Sequence, residues 1–141
     1  MERGDDVIRF LTGGNATFTL KSGKTGKRFT YKVVAPQDER RKDEWFVKLL
    51  TGPDNTSNYQ GYGLLMRNEK GLWFRKRGGY DPLPARAMHW LTWVLRTRSG
   101  RALAKVEVWH EGRCSRCNRP LTDPGSIRDG IGPVCKTKMG G

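Results

Sequence analysis

The chain has 141 residues, a length that suits one domain with a small additional module and is too short for two full domains. Its 27 Lys and Arg residues outnumber 14 Asp and Glu residues, and the resulting net charge of +13 favours polyanions, above all nucleic acid, as partners. No apolar run approaches the roughly 20 residues that cross a bilayer, so we expect no transmembrane helix and no membrane partner. Because Glu2, Asp5 and Asp6 stand where a secretory signal has basic residues, we expect a cytoplasmic protein.

The first half of the chain alternates apolar and polar residues, as half-buried strands do. The alternation covers Ala16–Leu20 and Arg28–Val34, and the Gly-rich segment 21–27 between them predicts a β-hairpin with a basic tip. Further strands are predicted at Trp45–Leu50, buried on both faces or nearly so, around Tyr62–Met66, and at Leu72–Arg75. Together these segments predict a meander of antiparallel strands.

One amphipathic helix is predicted at about residues 84–99. Pro84 suits the first turn of a helix, where its missing N–H would have no partner anyway. Apolar residues then recur at helical spacing, at Met88, Leu91, Val94 and Leu95, and Gly100 stands just beyond as a stop signal. We interpret Trp90 and Trp93 as part of the apolar face that packs against the sheet.

A short strand at Lys105–Trp109 leads into the C-terminal segment. The predicted fold class is therefore α+β. Residues 1–105 form an antiparallel β-meander packed on one amphipathic helix, and residues 106–141 form a small zinc-knuckle module.

The C-terminal segment has the spacing of a zinc site. Cys114 and Cys117 form a Cys-x-x-Cys turn that can occupy two corners of a tetrahedron around a metal, and Cys135 supplies a third thiolate. We take His110 as the fourth ligand, with His89 and Asp123 as the competing candidates. A segment with so few apolar residues needs a metal to fold, so the sequence predicts one structural Zn²⁺.

The predicted site is not catalytic. Three thiolates and an imidazole close the coordination shell, whereas a catalytic zinc keeps one position for water. The H-x-E and P-C-x-x-C signature of zinc deaminases is absent, as are His-Glu-x-x-His and G-x-S-x-G. We therefore predict a protein that works by binding, with no catalytic residues.

Several segments resemble a bacteriophage and prophage protein family of unassigned function. The resemblance is carried by Cys114–Ile127 and Gly130–Cys135, with upstream similarity at Asn15–Tyr31, Leu50–Asn55 and Val106–Gly112. It implies a phage or prophage origin, a place in the cytoplasm of the bacterial host and a metal in the C-terminal CxxC…GIGPxC zinc-finger-like module. Asn118 departs from the glycine that the family pattern has after the second cysteine.

A basic surface with aromatic residues is the predicted partner-binding site. It comprises Trp73, Arg75, Lys76, Arg77, Arg96, Arg98, Arg101, Arg113, Arg116 and Arg119. Such side chains can stack on bases and neutralise phosphates. The alternative is that Trp73 and Phe74 are ordinary strand residues, one on the surface and one in the core.

Three functions remain open from the sequence. The first is a non-enzymatic zinc protein that binds nucleic acid or a host nucleoprotein complex through its basic surface. The second is a phage-encoded inhibitor of a host defence nuclease, of the anti-CRISPR type, that docks on a Cas effector and blocks DNA binding. The weakest is a metal-dependent enzyme of DNA metabolism. The type of nucleic acid, the host target and the oligomeric state are left open by the sequence.

Overall fold

The computed structural model describes residues 4–22, 26–38, 40–51, 58–78, 82–97, 106–110, 113–117 and 119. These residues contain two helices, α1 (Gly4–Leu11) and α2 (Leu83–Thr97). Their strands are β1 (Asn15–Ser22), β2 (Arg28–Val34), β3 (Glu44–Leu50), β4 (Tyr59–Asn68), β5 (Gly71–Lys76) and β6 (Val106–His110).

The strands form one antiparallel six-stranded sheet in the order β5-β4-β3-β2-β1-β6. The first five strands follow one another as a meander, and β6 returns to pair with β1. The predicted α+β class and the predicted meander are confirmed, with each strand within a few residues of its expected position. Gly71, which ends the β4–β5 turn, has φ of 128°, a backbone conformation that favours glycine.

The two faces of the sheet differ. One face carries the core residues Phe18, Tyr31, Val33, Val47 and Leu65, all nearly inaccessible to solvent. Strand β3 was expected to be buried on both faces, and this is wrong, because Trp45, Val47 and Leu49 are buried whereas Phe46 is 38% exposed. The strand alternates between the core and an accessible face, as a strand of a one-sided sheet does.

Both helices contribute to the core on the same face. Helix α2 confirms the predicted amphipathic helix and buries Met88, Leu91, Val94 and Leu95 against the sheet. Helix α1 was not predicted, although Val7, Phe10 and Leu11 stand at helical spacing and are fully buried. That spacing was the available signal.

Two tyrosines of the sheet hold the start of α2. The Tyr31 hydroxyl donates a hydrogen bond to the Pro84 carbonyl at 2.6 Å, and the Tyr62 hydroxyl accepts one from the Ala85 N–H at 2.9 Å. The β3–β4 register shifts between Val47 and Lys48, and Tyr62 is the residue of β4 that this bulge inserts. The bulge therefore positions the helix over the sheet.

Strand β6 lies at the edge of this sheet beside β1. The predicted 106–141 module includes this strand, and residues 120–141 lie outside the described part of the chain. The division into 1–105 and 106–141 stays a prediction. No helix in the described part of the chain is long and apolar enough to span a membrane.

Candidate metal centre and nucleic-acid interface

The described part of the Cys-x-x-Cys turn packs against the start of β1. The backbone N–H of Asn15 donates to the Ser115 carbonyl at 2.5 Å, and its side-chain amide donates to the Arg116 carbonyl at 2.9 Å. A Cβ atom on Gly13 would lie 2.7 Å from the Ser115 carbonyl oxygen, so a larger residue there would push the two segments apart. The turn is thus held on the sheet by backbone contacts.

The first cysteine of the turn has hydrogen bonds that suit a metal-bound thiolate. Cys114 is 1% exposed, and its Sγ accepts a hydrogen bond from the Arg116 N–H at 3.4 Å. Its own N–H donates to the Arg119 carbonyl at 2.9 Å, which closes the loop on itself. A hydrogen bond to the sulfur orients it as a ligand. No disulfide joins Cys114 to Cys117, whose side chain is exposed.

The predicted ligand set is only partly within the described residues. The His110 ring lies on the core face of β6, with its centroid 5.9 Å from that of Phe10. Cys135 and the competing ligand Asp123 lie outside the described residues, and the other competitor, His89, is exposed on α2 with its ring edge-on to Phe74. Within the described ranges no group of three or more His, Cys, Asp or Glu side chains comes together. The four-ligand zinc site stays a prediction.

The predicted basic cluster on β5 is divided between the two faces of the sheet. Trp73 and Arg75 project from the accessible face, opposite Met66 and Leu64 of β4. Lys76 lies on the other face at the end of the strand, with its Nζ 5.6 Å from the centroid of the Tyr62 ring. Arg77 is exposed just after the strand. Adjacent basic residues in a strand cannot all face one ligand.

Arg96 is engaged within the protein. Its guanidinium stacks on the Trp73 ring, and its Nη1 donates to the Leu72 carbonyl at 2.6 Å. Partial burial lowers the pKa of Arg96 from its usual value, but a guanidinium remains charged. Trp73 is fixed further by its indole N–H, which donates to Asn68 Oδ1 at 3.1 Å.

The remaining predicted partner residues lie near the cysteine turn or outside the description. Arg113 and Arg119 are exposed and Arg116 is half-buried, whereas Arg98 and Arg101 lie outside the described residues. The contribution of all these residues to partner binding stays a prediction.

Strand pairing brings together a basic surface that the sequence analysis did not single out. We call the sheet face opposite the helices the outer face. Lys32 of β2 and Lys48 of β3 lie directly opposite each other on it, and Lys21 and Arg28 form a second opposed pair on β1 and β2. Arg75 adds a charge on β5. The register between the strands makes these side chains neighbours.

Acidic side chains are few on this face. Glu44 lies at its rim, 3.8 Å from Arg41, and the strand register places Glu107 of β6 opposite Lys21. Lys32 is held with its Nζ 4.7 Å from the centroid of the Tyr59 ring, which keeps the ammonium on the sheet surface. The outer face is therefore a positively charged surface.

Aromatic rings accompany the charges. Trp109 of β6 lies opposite Thr19 and is 59% exposed, Phe46 of β3 is 38% exposed, and Trp73 of β5 is 37% exposed. Each of the three rings stands next to core residues in its own strand, and successive side chains of a strand point to opposite faces. All three rings therefore project from the outer face. The expectation that Trp93 packs against the sheet is wrong, because it is 49% exposed on α2, whereas Trp90 packs against the core. Trp93 is separate from the outer face.

Comparison with known protein families finds that residues 107–140 are similar to a family of unknown function, DUF6011. The similar stretch covers less than half of the chain and includes the three cysteines. No curated protein and no solved structure matches the chain.

Proposed function

We propose that this protein is a non-enzymatic nucleic-acid-binding protein whose outer sheet face contacts phosphates. The observation that carries the proposal is the direct opposition of Lys32 and Lys48 on neighbouring strands. Like charges placed opposite each other destabilise a sheet by roughly 0.2–1 kcal/mol. A bound phosphate between the two ammonium groups would reverse the sign of that contribution.

The surrounding charges support a polymer as the ligand, more than a single anion. Arg28 and Arg75 lie on the same face on either side of the lysine pair, on β2 and β5. Strands lie about 4.8 Å apart, so charges on β2, β3 and β5 extend over a distance of several phosphates. A protein that neutralises phosphates in this way binds more weakly as salt concentration rises.

The zinc knuckle is the structural part of the same proposal. One Zn²⁺ bound by His110, Cys114, Cys117 and Cys135 would fix the C-terminal segment and leave no coordination position for a reacting water. The hydrogen bonds around Cys114 suit such a thiolate ligand. We extend the proposal to a phage or prophage origin and action in the bacterial cytoplasm.

The proposal is tested by the salt dependence of binding. Fluorescently labelled single-stranded and duplex DNA and RNA are titrated with the full-length protein at several salt concentrations. We expect binding to each polymer it recognises to weaken linearly on a log–log plot, with a slope of about −0.7 to −0.9 per phosphate neutralised.

A matched pair of double variants locates the contacts. Lys32→Gln/Lys48→Gln should reduce the magnitude of the slope by about 1 to 2 units. Lys42→Gln/Lys70→Gln removes the same charge from exposed positions in connecting segments and should leave the slope nearly unchanged. Equal slopes for the two doubles, or no binding to any polymer near physiological salt, would contradict the proposal. In the latter case, recovery of one host defence nuclease with the protein would favour the inhibitor instead.

A further inference from the structure

The outer face combines its positive charge with exposed aromatic rings, and the two features together indicate more than phosphate contact. Trp109, Phe46 and Trp73 stand on β6, β3 and β5, so they are spread across the width of the sheet. From β6 to β3 is three strand spacings, about 14 Å, and from β3 to β5 is two, about 10 Å. Basic side chains of β1, β2, β3 and β5 share the face with them.

We infer that the outer face binds single-stranded nucleic acid by stacking unpaired bases on Trp109 and Phe46. This inference rests on the proposed nucleic-acid-binding function and specifies its ligand. Bases in a duplex are stacked on each other and offer only their edges, whereas single strands can place base faces on aromatic rings. Exposed rings beside cations on an accessible sheet face suit the single strand.

Trp109 is the ring with the most accessible surface. It is 59% exposed on the edge strand β6, where its register partner Thr19 has a small side chain. The Thr19 hydroxyl is 2.7 Å from that of Thr30, so these two side chains beside the indole are small and polar. Of the described residues, the one directly opposite Trp109 therefore leaves the indole ring accessible.

Phe46 occupies the middle of the face. Its register partners are Val34 on β2 and Leu64 on β4, and Lys48 follows two residues later on the same face of its own strand. A nucleotide stacked on Phe46 would thus have a lysine within reach of its phosphate. Phe46 is 38% exposed, so part of its ring is accessible to a base.

Trp73 has a different place in this surface. One side of its ring is covered by the Arg96 guanidinium, and its N–H is bound to Asn68. The indole is therefore fixed in orientation. We assign Trp73 to the border of the surface that binds the single-stranded nucleic acid.

Two tryptophan variants test both the type of nucleic acid that binds and the role of Trp109. Trp109→Ala removes the outer-face indole, and Trp93→Ala is the matched control, because Trp93 is also exposed and lies on α2. The probes are labelled oligo(dT), which forms no duplex with itself, and a DNA hairpin of similar charge. The full-length protein, with its metal as purified, is titrated with each at one salt concentration.

We expect Trp109→Ala to weaken oligo(dT) binding about 5- to 140-fold, the range that corresponds to loss of one stacked base. Hairpin binding should change less than about twofold, because phosphate contacts remain. Trp109→Phe should retain most of the oligo(dT) affinity, and Trp93→Ala should bind both probes like the parent. Phe46→Ala gives a second variant with the same selective loss, and thermal melting verifies that each variant is folded.

The outcomes separate this inference from the proposed function. If neither probe binds, the proposed function itself fails. If both probes bind and Trp109→Ala and Phe46→Ala weaken neither or both equally, the phosphate-binding function stands and the stacking inference is wrong. A single-strand defect restricted to the two outer-face variants supports it.

Discussion

The guanidinium carbon of Arg96 lies 3.6 Å from the centroid of the Trp73 ring, and this contact joins the last turn of α2 to the edge strand β5. The same guanidinium donates to the Leu72 carbonyl, an acceptor of that edge strand. A single side chain therefore covers part of a sheet edge that would otherwise be open to pairing with another chain. This contact makes Arg96 a structural residue in the described protein.

Replacement of Arg96 should lower stability. Arg96→Ala loses the ring contact and the charged hydrogen bond, and we expect the free energy of unfolding to fall by about 1–3 kcal/mol. Arg86→Ala, at an exposed position of the same helix, should change it by less than about 0.5 kcal/mol. Urea denaturation measures both. Equal midpoints for the two variants would show that the contact adds nothing to stability.

How far the sequence predicts this fold depends on the range of the interactions involved. Alternation, apolar runs and turn residues identified the strands from Phe18 to Phe74, and helical spacing identified α2, because these patterns are local. Helix α1 was missed because the N-terminal segment was considered only as a possible secretory signal, from its acidic residues. The bulge at Tyr62 in the β3–β4 register could not be predicted, since a bulge depends on the partner strand.

In the candidate site, too, local features were predicted from the sequence and long-range features were not. The Cys114 and Cys117 pair is visible in sequence because the spacing of a metal-binding turn is local. The surface formed by Lys32 and Lys48 was missed because the residues are far apart in the chain and meet only through strand register. Arg96 was assigned to the partner surface from its charge alone, which gives no information on intramolecular contacts.

Two glycines of β4 provide a matched test of the sheet packing. A Cβ atom on Gly63 would lie 2.8 Å from carbons of the Phe74 ring and would also collide with the Arg75 carbonyl, whereas one on Gly61 would meet no atom within 4 Å. Gly63→Ala should therefore destabilise the protein by about 1–3 kcal/mol. Gly61→Ala should be neutral or stabilising by up to about 1 kcal/mol, because it reduces the freedom of the unfolded chain. Thermal melts that rank the two variants in the opposite order would refute this packing.

The metal prediction concerns the full-length protein. Elemental analysis should find about one zinc per chain, and Cys114→Ser should lose it together with stability. Ser115→Ala is the control, because the Ser115 hydroxyl is buried with no hydrogen-bond partner among the described residues and a metal does not require it. This control should retain the zinc and melt close to the parent.

Removal of the metal by a chelator gives an independent readout on the unmutated chain. The melting temperature should fall and should recover when Zn²⁺ is restored, because binding free energy contributes to folding. A chain that is purified without metal and melts at the same temperature after chelator treatment would eliminate the zinc knuckle.

The opposed lysines of the outer face predict a conflict between stability and binding. Lys32 and Lys48 repel each other in the free protein, and the Tyr59 ring 4.7 Å from Lys32 Nζ only moderates this repulsion. Lys48→Gln should therefore raise the free energy of unfolding by about 0.2–1 kcal/mol at low salt, while it weakens nucleic-acid binding.

This gain in stability should shrink as salt screens the charges, since the Debye length falls to about 8 Å near physiological ionic strength. Urea denaturation at low and high salt measures it, with Lys70→Gln as the control from a turn. If Lys48→Gln lowers stability at low salt, the lysine pair is stabilised by the fold itself and gives no support to an anion-binding site.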